Sequence, residues 1–374
     1  MKQRISFLLA CVFLCLTGCR ASGAEQTFFA MDTVMSVQVS GRRGPQAVAA
    51  AREAVERLDG LLSRTDSDSQ IARLNTAAGD GAAVAVDPDV AELLAFSQEI
   101  ARQLPGDFDI TIAPVMDAWG FTGDSYRVPA QDELDALLEN VNSDEIRLSG
   151  SSVTLGAGQA IDLGGIAKGY ASDRVAQIFR EQGVTGTASL GGNVYVSGKK
   201  SDGSAWRVAI RDPQNTDDYA AVLALEDVFA ITSGGYQRNF TAPDGTVYQH
   251  ILNPKTGCPV QSDLLSVTIV SDSGTLADAC STALYVMGEQ EAVNFWRQTG
   301  GFEMVLITAD GRLLHAGCHH RRVQCSGHGR CVHLRAGVRQ HHDLPAAQGD
   351  PRQGASALLH RHHCRLRDHR ADVH

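Results

Sequence analysis

The stretch DLGGIAKGYASDRV (residues 162–175) places two adjacent glycines and a lysine directly before a helical pattern. Such a turn looks like a phosphate-binding loop, but Lys168 precedes Gly169 and the spacing matches neither common nucleotide motif. The next stretch, TGTASLGGNVYVSG (residues 185–198), is typical of two strands around a Gly-Gly turn. A helix followed at once by a hairpin favours an α+β fold over the βαβ alternation of a doubly wound sheet.

Hairpin and helix patterns are mixed along the rest of the chain in the same way. Apolar residues at helical spacing predict helices at residues 45–62, 87–104, 130–140, 169–183 and 275–287, of which the segment at 275–287 is the last clear helix. Residues 107–115 are predicted to be extended. No internal repeat or linker divides these elements, so we expect one α+β catalytic domain with mixed, largely antiparallel sheets and flanking helices.

The N-terminus has the pattern of an export signal. Two basic residues precede a short apolar run, and the sequence LTGC ends at Cys19. This tetrapeptide resembles the lipobox of bacterial lipoproteins, which predicts a signal peptide at residues 1–18, a lipidated Cys19 and a tether at residues 19–26. The protein would then sit on the extracytoplasmic face of a bacterial cell membrane. An ordinary signal peptide or an uncleaved anchor with a chance cysteine is the alternative.

Charge and composition change sharply at residue 315. The whole chain has a formal net charge of −10, which argues against nucleic acid as a partner. Residues 315–374 instead hold 12 of the 13 histidines and ten arginines, with four acidic residues and no lysine. Because apolar periodicity also stops there, we interpret this atypical basic tail as a frameshifted translation. A genuine basic appendage and a metal-binding tail are the alternatives.

Two cysteines, Cys258 and Cys280, lie in the main body at residues 27–314. Outside the cytoplasm they could form a disulfide, and two separate thiols are the alternative. The spacing by itself does not decide between them.

Single residues in the body carry chemistry only in combination. His250 is the one histidine before residue 315, and it lies near the end of a short predicted strand. Asp278 and Thr282 are four residues apart on a predicted helix, with Ser281 beside them. Carboxylate and hydroxyl oxygens suit Mg²⁺ rather than zinc. Each cluster also has a purely structural interpretation: a tight turn, a core histidine, or a helix-terminal acid with core-facing hydroxyls.

The clusters and their order together resemble the ApbE family, the FAD:protein FMN transferases, over residues 27–314. The motifs that carry the resemblance are FFAMDTVMSV, FDITIAPVMDAWGF, DLGGIAKGYASDRV, SLGGNVYVSG, AITSGGYQRNF, HILNPKTG and ADACSTALYVMG. The resemblance implies an ApbE-like single catalytic domain. It also implies Mg²⁺-dependent transfer of FMN from FAD to a threonine hydroxyl of an exported acceptor protein, with release of AMP. A subunit of a redox pump is an acceptor of this kind.

The resemblance also implies roles for residues at the matching motif positions. His250 corresponds to the catalytic base. The expected FAD-binding residues are Met31, Asp107, Phe108, Asp109, Asp162, Lys168 and Leu252. The expected Mg²⁺ ligands are Gly165, through its backbone, Asp278, Ser281 and Thr282. One loop position that is often aromatic in related sequences is Thr65 here. The alternative function is an FAD-binding lipoprotein, or a pyrophosphatase that cleaves FAD to FMN and AMP.

Overall fold

The computed structural model describes most of the body of the chain and two short pieces of the tail. The described residues are 23–123, 125–236, 238–317, 323–325 and 330–334. The predicted signal peptide, Cys19 and most of the predicted tail therefore lie outside them. Among the helices of these ranges, none is long and apolar enough to cross a bilayer.

Eight α-helices lie within the described residues. They are α1 (Gly44–Leu62), α2 (Gln70–Thr76), α3 (Pro88–Gln103), α4 (Ala113–Trp119), α5 (Gln131–Leu138), α6 (Ala167–Gln182), α7 (Gly274–Met287) and α8 (Glu289–Thr299). Their ends confirm all five predicted helices to within two residues. Local sequence explains several of these ends. Ser273 caps α7 by accepting the Leu276 N–H, and α6 ends at Gly183, whose φ of 61° few other residues adopt.

Two predictions about secondary structure are wrong. Residues 107–115 are not extended throughout, because α4 begins at Ala113 with Pro114 in its first turn. This seven-residue helix depends on burying Val115, Ala118 and Trp119 rather than on its own propensity. The helix at residues 275–287 is also not the last, because α8 follows it. The three buried residues of α8 form an apolar stripe that is too narrow, among polar side chains, for a helix to be recognised from the sequence.

The strands are short and mostly joined as hairpins. They are β1 (Gly23–Ala30), β2 (Thr33–Ser40), β3 (Val84–Ala85), β4 (Arg147–Ser149), β5 (Ser152–Thr154), β6 (Thr185–Leu190), β7 (Asn193–Ser197), β8 (Trp206–Arg211), β9 (Tyr219–Leu225), β10 (Val228–Ser233), β11 (Asn239–Thr241), β12 (Val247–Gln249), β13 (Leu264–Ser271), β14 (Glu303–Thr308), β15 (Arg312–Ala316), β16 (Val323–Cys325) and β17 (Arg330–Leu334).

One large sheet, called the main sheet below, organises the molecule. Its order in the described residues is β1-β2-β6-β7-β10-β13-β14-β15-β17, and all neighbours are antiparallel except the β15–β17 pair. On one face α6 packs on β7, and α7 packs on β10 and β13. On the other face lies a smaller sheet of order β16-β9-β8. Mixed, mainly antiparallel sheets with flanking helices confirm the predicted α+β class.

Alternation along the central strands shows why both faces of the main sheet are covered. In β10, Phe229 and Ile231 belong to the core on the helical side, whereas Val228 and Ala230 belong to the core beneath β8 and β9. A strand that is apolar on both sides must be buried on both sides. The β1–β2 hairpin differs, because it buries Met35 and its neighbours on the helical side and exposes its other face.

Two features of the body bear on predictions made above. Strand β15 runs through residue 314, where the domain boundary was predicted, and the pieces of tail that are described pair with β9 and β15. The frameshift origin of the tail stays a prediction.

Cys258 and Cys280 are free thiols, and Cys280 is fully buried in α7, so the disulfide alternative is wrong for this pair.

Candidate functional site

A cavity of about 490 Å³ opens where the β1–β2 turn, the start of α6, the end of β10 and α7 meet. This volume falls within the usual range for small-molecule sites. It is lined by every predicted site residue except Ser281: Met31, Asp107, Phe108, Asp109, Asp162, Gly165, Lys168, His250, Leu252, Asp278 and Thr282. Residues that are up to about 250 positions apart in the chain therefore converge on one place.

The glycines of residues 162–175 have two different structural uses. A Cβ on Gly169 would lie 2.3 Å from the Gly274 carbonyl oxygen and 2.6 Å from the Asp278 Cβ, so this glycine lets α6 and α7 cross closely. Gly164 instead donates its N–H to Asp162 Oδ1 at 2.7 Å, and its carbonyl accepts from Lys168 Nζ at 3.3 Å. The turn thus orients Asp162 and Lys168, and the close packing of α6 on α7 places α7 beside the cavity.

Asp278 is the buried acid that this crossing brings to the cavity. Its side chain is 4% exposed, and Oδ2 accepts the Gly169 N–H at 2.7 Å. Burial raises the pKa of Asp278, against the opposing effect of the Lys168 charge and of the Gly169 N–H. A buried carboxylate of this kind is stabilised when a cation lies against it.

The donor set around Asp278 fits a hard cation. The Thr282 hydroxyl lines the cavity one helical turn later, and a Cβ on Gly165 would lie 3.4 Å from it. One carboxylate, a hydroxyl and backbone oxygens are ligands that Mg²⁺ accepts, usually together with water. Among the described residues, no group of three or more His, Cys, Asp or Glu is placed to hold a metal ion.

Ser281 lies behind the cavity wall rather than in it. Its side chain is 0% exposed, its Oγ donates to the Asp278 carbonyl at 2.9 Å, and it lies 2.8 Å from Ser233 Oγ. Ser233, which sequence reasoning missed, lines the cavity and lies 3.2 Å from Thr282 Oγ1. These hydroxyls therefore orient Thr282, and the prediction that Ser281 is itself a ligand stays untested.

His250 follows β12 directly, and one carbonyl group orients it. The Arg238 carbonyl oxygen accepts the His250 backbone N–H at 3.1 Å and lies 3.0 Å from the ring Nδ1. Because a carbonyl oxygen only accepts hydrogen bonds, Nδ1 carries the proton and Nε2 carries the lone pair. Burial lowers the pKa of His250 to about 4, so the ring is neutral near pH 7. A neutral imidazole with a free Nε2 can take a proton.

The amino-acid sequence of this chain is similar to those of known proteins. Residues 31–306 match the sequence profile of the ApbE family. The chain belongs to the ApbE family. It is 30% identical to the FAD:protein FMN transferase of Treponema pallidum over 333 residues, covering 82% of this chain and 91% of that protein. It is also 30% identical to the enzyme of the same name from Escherichia coli K12, covering 68% and 74%.

Solved structures of the ApbE family share the fold. The ApbE protein of Thermotoga maritima has a TM-score of 0.73 at 31% identity, covering 78% of this chain and 96% of that one. The Pseudomonas stutzeri flavinyl transferase ApbE has a TM-score of 0.70 at 26% identity, covering 82% and 95%. These matches confirm the predicted family and fold, and that the chain is an enzyme of this family. The individual residue roles stay predictions.

Two of the expected FAD-binding acids have structural partners of their own. Asp107 accepts from Lys255 Nζ at 3.0 Å, although burial still raises its pKa. Asp109 accepts from the backbone and hydroxyl of Thr111 and from the Ser143 N–H at 3.0 Å. Asp109 therefore anchors the loop beneath the cavity in addition to lining it.

Sequence reasoning missed two arginines in the cavity wall. Arg64 Nη2 donates to both oxygens of Asp117 at 2.7 Å, and Nη1 donates to Asp162 at 3.2 Å. The Arg238 guanidinium is held by the Phe121 carbonyl. Neither has a sequence signal, because their partners lie 53 or more residues away along the chain. Together with Lys168 they place three cationic side chains in a cavity wall that also contains six aspartates. This wall therefore suits an anionic ligand together with a bound cation rather than an anion by itself. Thr65 also lines the cavity without an aromatic ring.

Proposed function

We propose that this chain transfers FMN from FAD to a threonine hydroxyl of an exported acceptor protein and releases AMP, with Mg²⁺ as the required metal. The observation that carries the proposal is a neutral histidine with its Nε2 lone pair free, in the same cavity as a buried carboxylate and three cationic side chains. The names of the relatives and their extent of similarity support FMN transfer as the reaction.

The chain's own residues supply binding and proton transfer. Lys168, Arg64 and Arg238 attract the pyrophosphate of FAD, and the apolar wall that includes Leu252 accepts the flat ring system. His250 Nε2 removes the proton of the acceptor threonine as its oxygen bonds to the FMN phosphorus. The P–O bond to the AMP half breaks, and AMP leaves with the bridging oxygen. The Nδ1–H contact to the Arg238 carbonyl holds the ring in this orientation throughout.

The metal site in this proposal consists of Asp278, Thr282 and the Gly165 backbone. Mg²⁺ bound there would neutralise charge on the pyrophosphate. The Gly169 N–H holds Oδ2 of the buried Asp278 carboxylate and fixes the orientation of this side chain towards the cavity. Ser233 and Ser281 keep the Thr282 hydroxyl in place.

The location in the cell is part of the proposal. Lipidation at Cys19 would fix the protein to the extracytoplasmic face of the membrane, where an exported acceptor is available. Cys19 lies outside the described residues, but β1 begins at Gly23, so the tether between lipid and domain would be short. Incorporation of radiolabelled palmitate into the full chain, and its loss in Cys19→Ala, tests this part of the proposal.

Transfer is tested by incubating the protein with FAD, Mg²⁺ and an acceptor protein. Flavin fluorescence that stays on the acceptor band after denaturing electrophoresis, together with AMP release, is the expected result. Release of AMP and free FMN without labelling would instead identify the FAD pyrophosphatase of the alternative function. No AMP release at all would identify a binding protein and overturn the proposal.

Two substitutions separate the roles of the site residues. His250→Ala is expected to bind FAD normally and to lower transfer by roughly 10²–10⁴-fold, the usual contribution of a general base. Asp278→Ala is expected to abolish the dependence of turnover on Mg²⁺. Asp310, an exposed acid on the β14–β15 turn, supplies the matched control Asp310→Ala, which should behave as the unaltered enzyme. Undiminished transfer by His250→Ala would remove His250 from the mechanism.

A further inference from the structure

The β1–β2 hairpin carries an uncovered apolar patch beside the cavity. Phe29 and Val34 face each other across the hairpin and are 67% and 60% exposed, the most exposed large apolar side chains of the described residues. The turn that joins them, Met31 and Asp32, lines the cavity together with Thr33. The patch, defined as Phe29 and Val34, is therefore continuous with the cavity wall through three residues of chain.

The backbone of the hairpin is also unusual at this point. Met31 and Asp32 have φ values of 49° and 58°, in the left-handed region that non-glycine residues rarely adopt. Two such residues in succession form the tight turn that suits a two-residue hairpin. This turn holds the Phe29 and Val34 side chains outward while Met31 faces the cavity, and strain of this kind is commonly found at functional sites.

The same hairpin forms an edge of the main sheet. β1 has a strand neighbour, β2, on one side within the described residues, so its other side presents backbone groups to an incoming segment. Proteins usually blunt such edges with proline, lysine or a covering loop. β1 contains no proline and no lysine, and instead presents a phenylalanine. An extended protein segment could add to this edge and place a side chain on the patch.

We infer that the patch docks the threonine-bearing segment of the acceptor protein. The inference rests on the proposed transferase function, because the acceptor threonine must reach His250 from outside the cavity. A phenylalanine of about 200 Å² that is 67% exposed offers about 130 Å². Even with Val34 added, two side chains cover far less than the ~1,200 Å² that a stable interface buries on both partners together, so the patch fits a transient contact with a substrate rather than a permanent dimer.

The charged side chains near the patch indicate which kind of partner binds there. Asp32, in the turn between Phe29 and Val34, is an exposed acid beside the patch, and Glu25 is a second exposed acid on the same outer face of β1, four residues before Phe29. An anionic lipid surface would be repelled there. The complementary occupant is a protein segment with an apolar side chain next to a cationic one.

The test compares steady-state transfer by the unaltered protein and the double variant Phe29→Ser, Val34→Thr. The probe is the soluble, threonine-bearing domain of a flavinylated redox-pump subunit. We expect KM for this probe to rise on the order of tenfold, a difference of about 1.4 kcal/mol. We expect kcat and FAD binding to stay unchanged, because neither residue lines the cavity. Tyr219, which is 54% exposed on β9 and also outside the cavity lining, gives the control Tyr219→Ser, which should leave KM unchanged.

The other possible outcomes of this test each identify a different role for the patch or overturn the proposed function. If the unaltered protein labels the probe and the double variant has the same KM, the docking surface is wrong and the proposed function stands. If KM is unchanged but binding to phosphatidylglycerol vesicles falls, the patch contacts lipid instead. A shift of a dimer to a monomer in sedimentation would assign it to a second copy of the chain. If the unaltered protein does not label the probe, the transferase proposal fails and the docking surface with it.

Discussion

Replacing Gly169 by alanine tests whether residues 162–175 act as a helix crossing or as a phosphate loop. The new Cβ would lie 2.3 Å from the Gly274 carbonyl oxygen and 2.6 Å from the Asp278 Cβ. Both contacts are to groups held by the backbone of α7, so the two helices must separate by about 1 Å to reach normal van der Waals distance. The same movement lengthens the hydrogen bond from the Gly169 N–H to Asp278.

The expected loss of stability follows from that contact. Overpacking of a rigid interior costs about 1–3 kcal/mol, whereas replacing a helical glycine by alanine in open space stabilises by up to ~1 kcal/mol. Gly60 provides the open-space case, because it lies in α1, a Cβ added to it would meet nothing within 4 Å, and its φ is not positive. We therefore expect Gly169→Ala to lower the free energy of unfolding by about 1–3 kcal/mol and Gly60→Ala to leave it equal or slightly higher.

Urea unfolding at equilibrium, followed by circular dichroism, measures both variants. The Mg²⁺ dependence of AMP release from FAD then reports on Asp278, and Gly169→Ala should require more Mg²⁺ for half-maximal rate. A phosphate loop would give a different result, with normal stability and weak FAD binding. If Gly169→Ala is as stable as Gly60→Ala and keeps the same Mg²⁺ requirement, the helix-crossing argument is refuted.

Two further predictions concern pH and the α6–α7 contact. The pKa of His250 is lowered from 6.5 to about 4, so transfer should hold from neutral pH down to about 5 and fall through about 4 as Nε2 is protonated. The unfolded chain binds this proton at higher pH, so the contribution of His250 to the free energy of unfolding should fall as the pH drops from 6.5 towards 4. Unfolding and transfer rates measured as a function of pH check the two expectations. If His250→Ala shows the same pH dependence as the unaltered protein, they are contradicted. Asp173 on α6 accepts the N–H groups of Gly274 and Thr275 at 2.7 and 2.8 Å, so Asp173→Asn should cost about 1–3 kcal/mol in urea unfolding. The exposed Asp217→Asn is its control, and equal stability of the two would show that this cap contributes nothing.

Local patterns predicted those elements whose stability is itself local. The helix at residues 45–62 has an apolar stripe with period 3.6, and the β14–β15 hairpin has an Asp-Gly turn between alternating residues. The helices α4 and α8 were missed because burial against other elements, rather than their own pattern, makes them helical. Tertiary contacts override weak propensity in segments of this length.

The residues of the candidate site likewise fall into a group that the sequence predicted and a group that it did not. Its motif residues were predicted through the family resemblance, and the structure places all but Ser281 at one cavity. Arg64, Arg238 and Ser233 were missed. Each acts through partners far away in the chain. Neither a polar residue in a loop, such as Arg64, nor a serine at the end of a strand, such as Ser233, has a local signal of such a role.

The sequence alone determined the family, the α+β class, most helices and the identity of the chemical groups, because hydrophobic period, turn residues and motif order are local properties of the chain. The tertiary structure decided what those groups do to one another. It showed that Gly169 serves the crossing of α6 and α7, that the Arg238 carbonyl sets the protonated nitrogen of His250, and that Ser281 lies behind the cavity. Burial and distance between residues a hundred positions apart exist only once the chain has folded, and these set the pKa values and the orientation of the site.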